Sequence, residues 1–154
     1  MPNKKTIQKA QQDKREGKSP STQAGEFVRE TIDEIRQGKH GARSTKQAIA
    51  IGLSKARRAG VQLKLPAKGK ASEETRLHAQ RDNLRGQTEP KHRVSVKRSR
   101  AATKALQREG RDAVSHEALS KQAREQAGKR PAKEQSAIGR KAARTRKTHR
   151  TPAK

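Results

Sequence analysis

Large aliphatic side chains, with the single Phe, crowd into one window of this chain. Positions 27 to 65 hold ten of them (Phe27, Val28, Ile32, Ile35, Ile49, Ile51, Leu53, Val61, Leu63, Leu65), whereas the 89 residues that follow hold eight. Burial of apolar area is the main gain that offsets chain entropy, so whatever packs must pack around this window. Elsewhere the sequence is too dilute. Hydrophobic residues are 27% of the whole, against roughly 45–50% apolar in globular domains. Low hydrophobicity combined with a net charge of +25 predicts segments that stay unpacked. The expectation is an all-α fold: a small helical hairpin, short marginal helices and extensive disordered basic segments.

Residues 1–20 read as a basic N-terminal arm, because Ile7 is their only large apolar side chain beyond Met1 and a helix there has no face to bury. A hairpin domain over 21–65 follows. Ala24, Phe27, Val28, Thr31, Ile32 and Ile35 recur at three- and four-residue spacing up to Gly38, which predicts an amphipathic helix. Its outer face carries Glu26, Glu30, Asp33 and Glu34 against Arg29 and Arg36. Ser44-Thr45-Lys46-Gln47 matches a capping box and predicts a second helix, basic throughout and ending near Gly60. Small residues at Ala48, Gly52, Ala56 and Ala59 permit close approach to the first helix. Val61-x-Leu63-x-Leu65 alternates like a short strap.

A linker at 66–71 leads to short marginal helices over 72–128. The first starts at Ser72-Glu73-Glu74 with a thin face of Leu77, Leu84 and Ala79; two more are expected over 99–109 and 115–126. The last segment, 129–154, has ten basic side chains and one acid and reads as a disordered, solvated basic tail. One internal echo appears: Lys46-x3-Ala50-Ile51-Gly52-x3-Ala56-Arg57 recurs from Lys133 to Arg144.

Forty Lys and Arg against fifteen Asp and Glu imply a polyanionic partner. Readers of single-stranded nucleic acid stack bases on aromatic rings, and this chain has one ring, at Phe27. Phosphates are therefore the expected target: sequence-nonspecific binding of double-stranded DNA, as in a nucleoid-associated or histone-like protein, with structured RNA as the alternative polymer. A different reading makes residues 23–65 a protein-interaction adaptor, its acidic helix recruiting a basic partner. Self-association through the same helices is a further possibility.

The run Ser21 to Glu30 (STQAGEFVRE) followed by Gly38 to Gly60 (GKHGARSTKQAIAIGLSKARRAG) resembles a family of small, basic bacterial proteins defined by a domain of unknown function. The resemblance implies a bacterial cytoplasmic protein whose relatives tend to be labelled DNA-binding, and it brings no established activity. Thr151-Pro152-Ala153-Lys154 looks like the Ser/Thr-Pro-x-Lys units of linker-histone-like tails. Gly128-Lys129-Arg130-Pro131 is similar to a minor-groove hook centred on Gly-Arg-Pro, with Lys where the hook has Arg.

The candidate nucleic-acid-binding residues form four groups. Lys39, His40, Arg43 and Lys46 surround a loop where Gly38 and Gly41 could turn amides toward a phosphate beside a helix N-terminus; a helix-ending glycine is the plainer explanation of Gly38. Lys55, Arg57 and Arg58 close the second helix, where cations also suit the helix dipole. Lys97, Arg98 and Arg100, and then Arg140, Lys141, Arg144, Arg146 and Lys147, are dense enough to repel one another unless phosphates or counterions neutralise them. No cofactor, metal or catalytic residue is expected. The five His lie outside metal-ligand spacing, there is no Cys, and Glu30 with Glu34 lacks an apolar pocket to separate two pKa values. No run of about 18 apolar residues suggests a membrane span, so a cytoplasmic, nucleoid-associated location is expected.

Overall fold

A computed structural model describes residues 2–88 and 95–150, the side chains of 145–150 excepted. The described residues are all-α: seven helices and one 3-10 turn, with no strand. They fall into two compact units, Met1–Ser115 and His116–Lys154.

The first unit is built on helices α2 (Pro20–Arg36) and α3 (Thr45–Arg58). Ser19 caps α2 by accepting the Thr22 N–H, with Pro20 in the first turn, where a missing N–H costs nothing. Ala24, Phe27, Thr31 and Ile35 form its buried stripe, at the helical spacing expected. Ser44 caps α3 through the Gln47 N–H at 3.2 Å. The stripe on α3 is made of small residues, Ala48, Gly52 and Ala56, and this sets the separation of the pair. A Cβ on Gly52 would lie 2.6 Å from the Val28 Cα, so only glycine admits this approach.

Two apolar clusters flank the α2–α3 contact. One joins Ala10, Ala24, Phe27, Ala56 and Val61, with Ile7, Leu53, Ala59 and Leu63 packed against it; the other joins Ile35, Ala42, Ala48 and Val114, with Ile32 and Ala113. Their membership changes the expected domain in two places. Residues expected as an arm with nothing to bury form α1 (Lys4–Arg15), which puts Ile7 and Ala10 on Phe27's cluster. The Asn3 N–H donates to Glu30 Oε1 at 2.7 Å, and Lys9 pairs with Glu26 at 3.6 Å. Alanine escaped notice as a core residue because it is small. The second addition is Val114, only 1% exposed, which joins the hairpin from far along the chain.

The strap is present: Val61 is buried, Leu63 partly so, and Leu65 exposed. Helix α4 (Glu73–Thr88) clasps it, Asn83 Nδ2 donating to the Leu63 carbonyl at 2.9 Å and Arg76 Nε to that of Pro66 at 3.0 Å. The face that α4 turns to α3 differs from the one expected. Leu77 and Leu84 are 49% and 52% exposed; Ala79, Asp82 and Gly86 make the contact instead. A Cβ on Gly86 would sit 1.9 Å from the Arg57 carbonyl oxygen. Small residues win here because they let two backbones meet.

Helix α5 (Val96–Gln107) starts three residues earlier than expected, at N-cap Ser95, and buries nothing. A 3-10 turn over Asp112–Val114 ends the first unit. In the second unit, α6 (His116–Gly128) and α7 (Ala132–Arg150) also leave no described side chain buried. Residues read as a solvated tail are thus helical through position 150, in keeping with the high helix propensity of Ala, Lys, Arg and Gln. Gln135 Nε2 ties the α6–α7 turn, donating to the carbonyls of Ala127 and Arg130 at 3.1 and 2.9 Å. The echo between α3 and α7 is not a packing repeat: Gly52 is pressed against Val28, while nothing lies within 4 Å of a Cβ built on Gly139.

Candidate nucleic-acid interface

The cationic residues singled out in the sequence divide by what they touch. The loop after α2 begins with Gly38 at φ +74°, ending the helix with Gly38 N–H to Ile35 O and Lys39 N–H to Glu34 O. That is the Schellman arrangement. The next amides do not turn outward. The Gly41 N–H donates to Leu106 O at 2.8 Å and the Ala42 N–H to Gly110 O at 3.1 Å, so the expected phosphate clamp is filled by this chain's own carbonyls. Gln47 Oε1 accepts the Arg43 N–H at 2.7 Å, using a further amide at the start of α3.

Four side chains surround this loop. His40 sits between two acceptors, its Nε2 3.5 Å from Glu34 Oε2 and its Nδ1 3.1 Å from the Gly41 carbonyl. Arg43 is exposed and lies 3.5 Å from Glu109 Oε1. Lys39 and Lys46 are exposed, and the Lys39 carbonyl takes a bond from Gln107 Nε2 at 3.4 Å. The tip of α5 therefore adjoins this loop, and Arg111 is there too, its Nη1 3.5 Å from where a Gly38 Cβ would stand.

The trio at the end of α3 is tied to neighbouring helices or buried, Arg57 being buried, Lys55 partly so and Arg58 exposed. Lys55 is ion-paired with Glu34. Burial alone would raise the Glu34 pKa, yet its bonds to Lys55 and His40, and their charges, outweigh that and hold the carboxyl below the ordinary carboxylate range. Arg57 is 8% exposed; burial lowers its pKa and the charge of Asp82 opposes that. Its Nε has no hydrogen-bond partner. Arg58 donates to Asp82 Oδ1 at 2.9 Å and to Ser54 Oγ at 2.8 Å, while Asp82 also accepts from Ser54. These cations hold α2, α3 and α4 together. Nothing in a linear sequence separates a basic residue that closes an interface from one that faces water.

The acidic face of α2, expected to be open, is largely used in the same way. Glu26, Glu30 and Glu34 are engaged by Lys9, the Asn3 N–H and Lys55 respectively, and Asp33 alone of the four is exposed.

Helix α5 is different. Lys97, Arg98 and Arg100 are exposed, as are Lys104 and Arg108, and among the described residues none of the five pairs with an acid. Lys97, Arg100, Lys104 and Arg108 follow one another at three, four and four residues, which stacks them on one face of a helix roughly 18 Å long. Lys104 and Arg108 were not among the expected site residues, although this spacing was available to find them. In α7, Arg140, Lys141 and Arg144 are exposed, and Lys133 shares a face with Arg140 and Arg144 by its spacing of seven and eleven. The side chains of Arg146 and Lys147 lie outside the described residues, as do Thr151–Lys154. Among the described residues there is no cluster of His, Cys, Asp and Glu that could hold a metal ion, and no helix long and apolar enough to cross a membrane.

No curated protein and no solved structure matches this chain. Its residues 14–69, which take in α2, the loop, α3, the strap and the first part of the linker but not α5 or α7, match the model of a family of unknown function, DUF6496.

Proposed function

We propose that this protein binds nucleic acid through phosphates, with little sequence preference, and that its polymer is double-stranded DNA. The observation carrying this reading is the face of α5: Lys97, Arg100, Lys104 and Arg108 in one row, exposed and without an acidic partner among the described residues, in a chain of charge +25. Such a row self-repels unless a polyanion neutralises it, and release of the polymer's counterions supplies the affinity. Lys39 and Lys46 are exposed in the same unit, and α7 carries exposed cations of its own. Phe27, the one aromatic ring, is completely buried, so no platform for unstacked bases exists and a duplex is favoured over a single strand. The role we read from this chemistry is nucleoid-associated and histone-like, in the bacterial cytoplasm that the family resemblance implies. The adaptor reading loses support, because the acids it needs are engaged by α1 and α3.

Gel shifts with duplex DNA, single-stranded DNA and a folded RNA across a salt series test the proposal. With about 6 to 10 phosphate contacts, duplex affinity is expected to fall about 10³- to 10⁵-fold between 50 and 200 mM salt. A flat salt response overturns it, and preferential capture of the folded RNA in competition replaces the polymer.

A further inference from the structure

The α2–α3 hairpin grips residues 106–115 largely by their backbone. On the hairpin side the groups are almost all donors: the Gly41 N–H to Leu106 O at 2.8 Å, the Ala42 N–H to Gly110 O at 3.1 Å, the Thr45 Oγ1 to Ala113 O at 2.6 Å, and the Arg36 Nε and Nη2 to Val114 O at 3.4 and 3.3 Å. On the other side these acceptors are backbone carbonyls, and the Glu109 carboxylate adds a side-chain contact, 3.5 Å from Arg43 Nη2. One side chain is buried with them, Val114, in a pocket of Ile35, Ala42 and Ala48. Gly41 fits the passing backbone so closely that a Cβ there would lie 2.0 Å from the Glu109 carbonyl oxygen. Carbonyl-reading donors plus one pocket for a branched side chain are the elements by which a groove holds a peptide.

The held segment is weakly attached to everything else. Helix α5, just before it, buries no residue, and the first unit ends one residue after Val114. The seat lies wholly inside the family-matched stretch 14–69 and the segment wholly outside it. We infer that the α2–α3 hairpin is a peptide-capture seat whose resident ligand is residues 106–115, and that the same segment of a second copy of this chain can occupy it. In the folded chain the tethered segment wins by its high effective concentration. Exchange between copies links them and carries α5 of one onto the body of another. The inference does not depend on nucleic-acid binding.

The test uses the full-length chain and a fluorescent peptide of residues 104–116. Val114→Ala weakens the resident plug, so the peptide is expected to bind this variant at least tenfold more tightly than the wild-type chain. A peptide carrying Asp at the Val position is expected to bind neither, and Gly41→Val added to Val114→Ala is expected to abolish capture by blocking the seat. Equal affinity for the two peptides overturns the inference. If circular dichroism finds Val114→Ala unfolded, saturating peptide should restore its helix content, and failure to do so overturns it equally. Exchange in trans is read by native mass spectrometry: mixing Gly41→Val, with a freed segment, and Val114→Ala, with an open seat, should give heterodimers. Their absence at protein concentrations where the peptide binds rules out a second copy as the occupant.

Discussion

Helices α3 and α7 carry the same Lys-x3-Ala-Ile-Gly-x3-Ala-Arg pattern and make opposite use of it. In α3 the glycine touches the backbone of α2 and the arginine, Arg57, is buried. In α7 the glycine meets nothing, Ile138 is 50% exposed and the arginine, Arg144, faces solvent. The shared positions do not decide the outcome; those between them do. Where α3 has Ala48 and Leu53, completing a stripe with Gly52 and Ala56, α7 has Gln135 and Arg140. A polar and a charged residue within the stripe remove the apolar face, and the same glycine then becomes a weak point in a solvated helix.

The largest effect should come from testing the glycines. Gly52→Val must drive α2 and α3 apart, since even one Cβ meets the Val28 Cα at 2.6 Å. Overpacking of about 1–3 kcal/mol is usual, and backbone contact places this substitution at or above the top of that range. A loss of the cooperative thermal transition is expected. Gly139→Ala is predicted to do the reverse, gaining about 0.5–1 kcal/mol of helix propensity, read as increased helix content by circular dichroism. Equal effects at the two sites would show that α7 is packed as α3 is.

Next comes Asp82, the acid that makes burial of α3's C-terminal cations tolerable. It accepts from Arg58 and Ser54 and lies in the field of Arg57. Asp82→Ala leaves those donors without their acceptor, which costs about 1–3 kcal/mol, and should appear as a lowered urea midpoint with an unchanged slope. Glu134, in the first turn of α7, is exposed; its replacement by Ala should move the midpoint little.

A smaller, pH-dependent term belongs to Glu34. Its folded pKa is held below the ordinary value, against burial, by Lys55 and His40. A depressed carboxylate contributes stability that is complete above its unfolded pKa and is lost as pH falls through the folded one. Melting temperature should therefore drop on acidification below about pH 5, and Glu34→Gln should be less stable at neutral pH with a flatter acid limb. A limb of unchanged steepness would assign the acid loss to other carboxylates.

Much of this molecule was legible in its sequence, and the parts that were not share a cause. The stripe of α2, the Ser44 cap, the helix-ending glycines and the small-residue seam of α3 are local patterns, and each stands where its spacing put it. The acid–base pairing of α2 with α3 was legible as well, and Lys55 with Glu34 realises it. What stayed hidden depends on distant partners. Ala10 looks like any alanine in a basic helix until Phe27 is beside it. Val114 is an isolated aliphatic until Ile35, Ala42 and Ala48 receive it, and the Gly41 amide looks free until the carbonyl of Leu106 arrives. For the candidate interface the same holds in reverse, since Arg58 and Lys55 read as ligands for phosphate and are bound to Asp82 and Glu34.

The smallest change in stability should come from the residues proposed to matter most for binding. Lys97, Arg100 and Lys104 touch no acid among the described residues and lie on a helix that buries nothing, so Lys97→Gln, Arg100→Gln and Lys104→Gln should each shift folding by less than about 0.5 kcal/mol. If they hold phosphates, the triple variant should lose duplex affinity and its salt dependence should flatten by about 0.9 in log–log slope per contact removed. Arg57→Gln gives the contrasting case: an arginine of the same sequence character whose loss disturbs the α3–α4 contact and leaves the salt slope intact. A flattened slope from Arg57→Gln, with none from α5, would reverse the division between structural and binding cations, because only a residue that displaces counterions can change that slope.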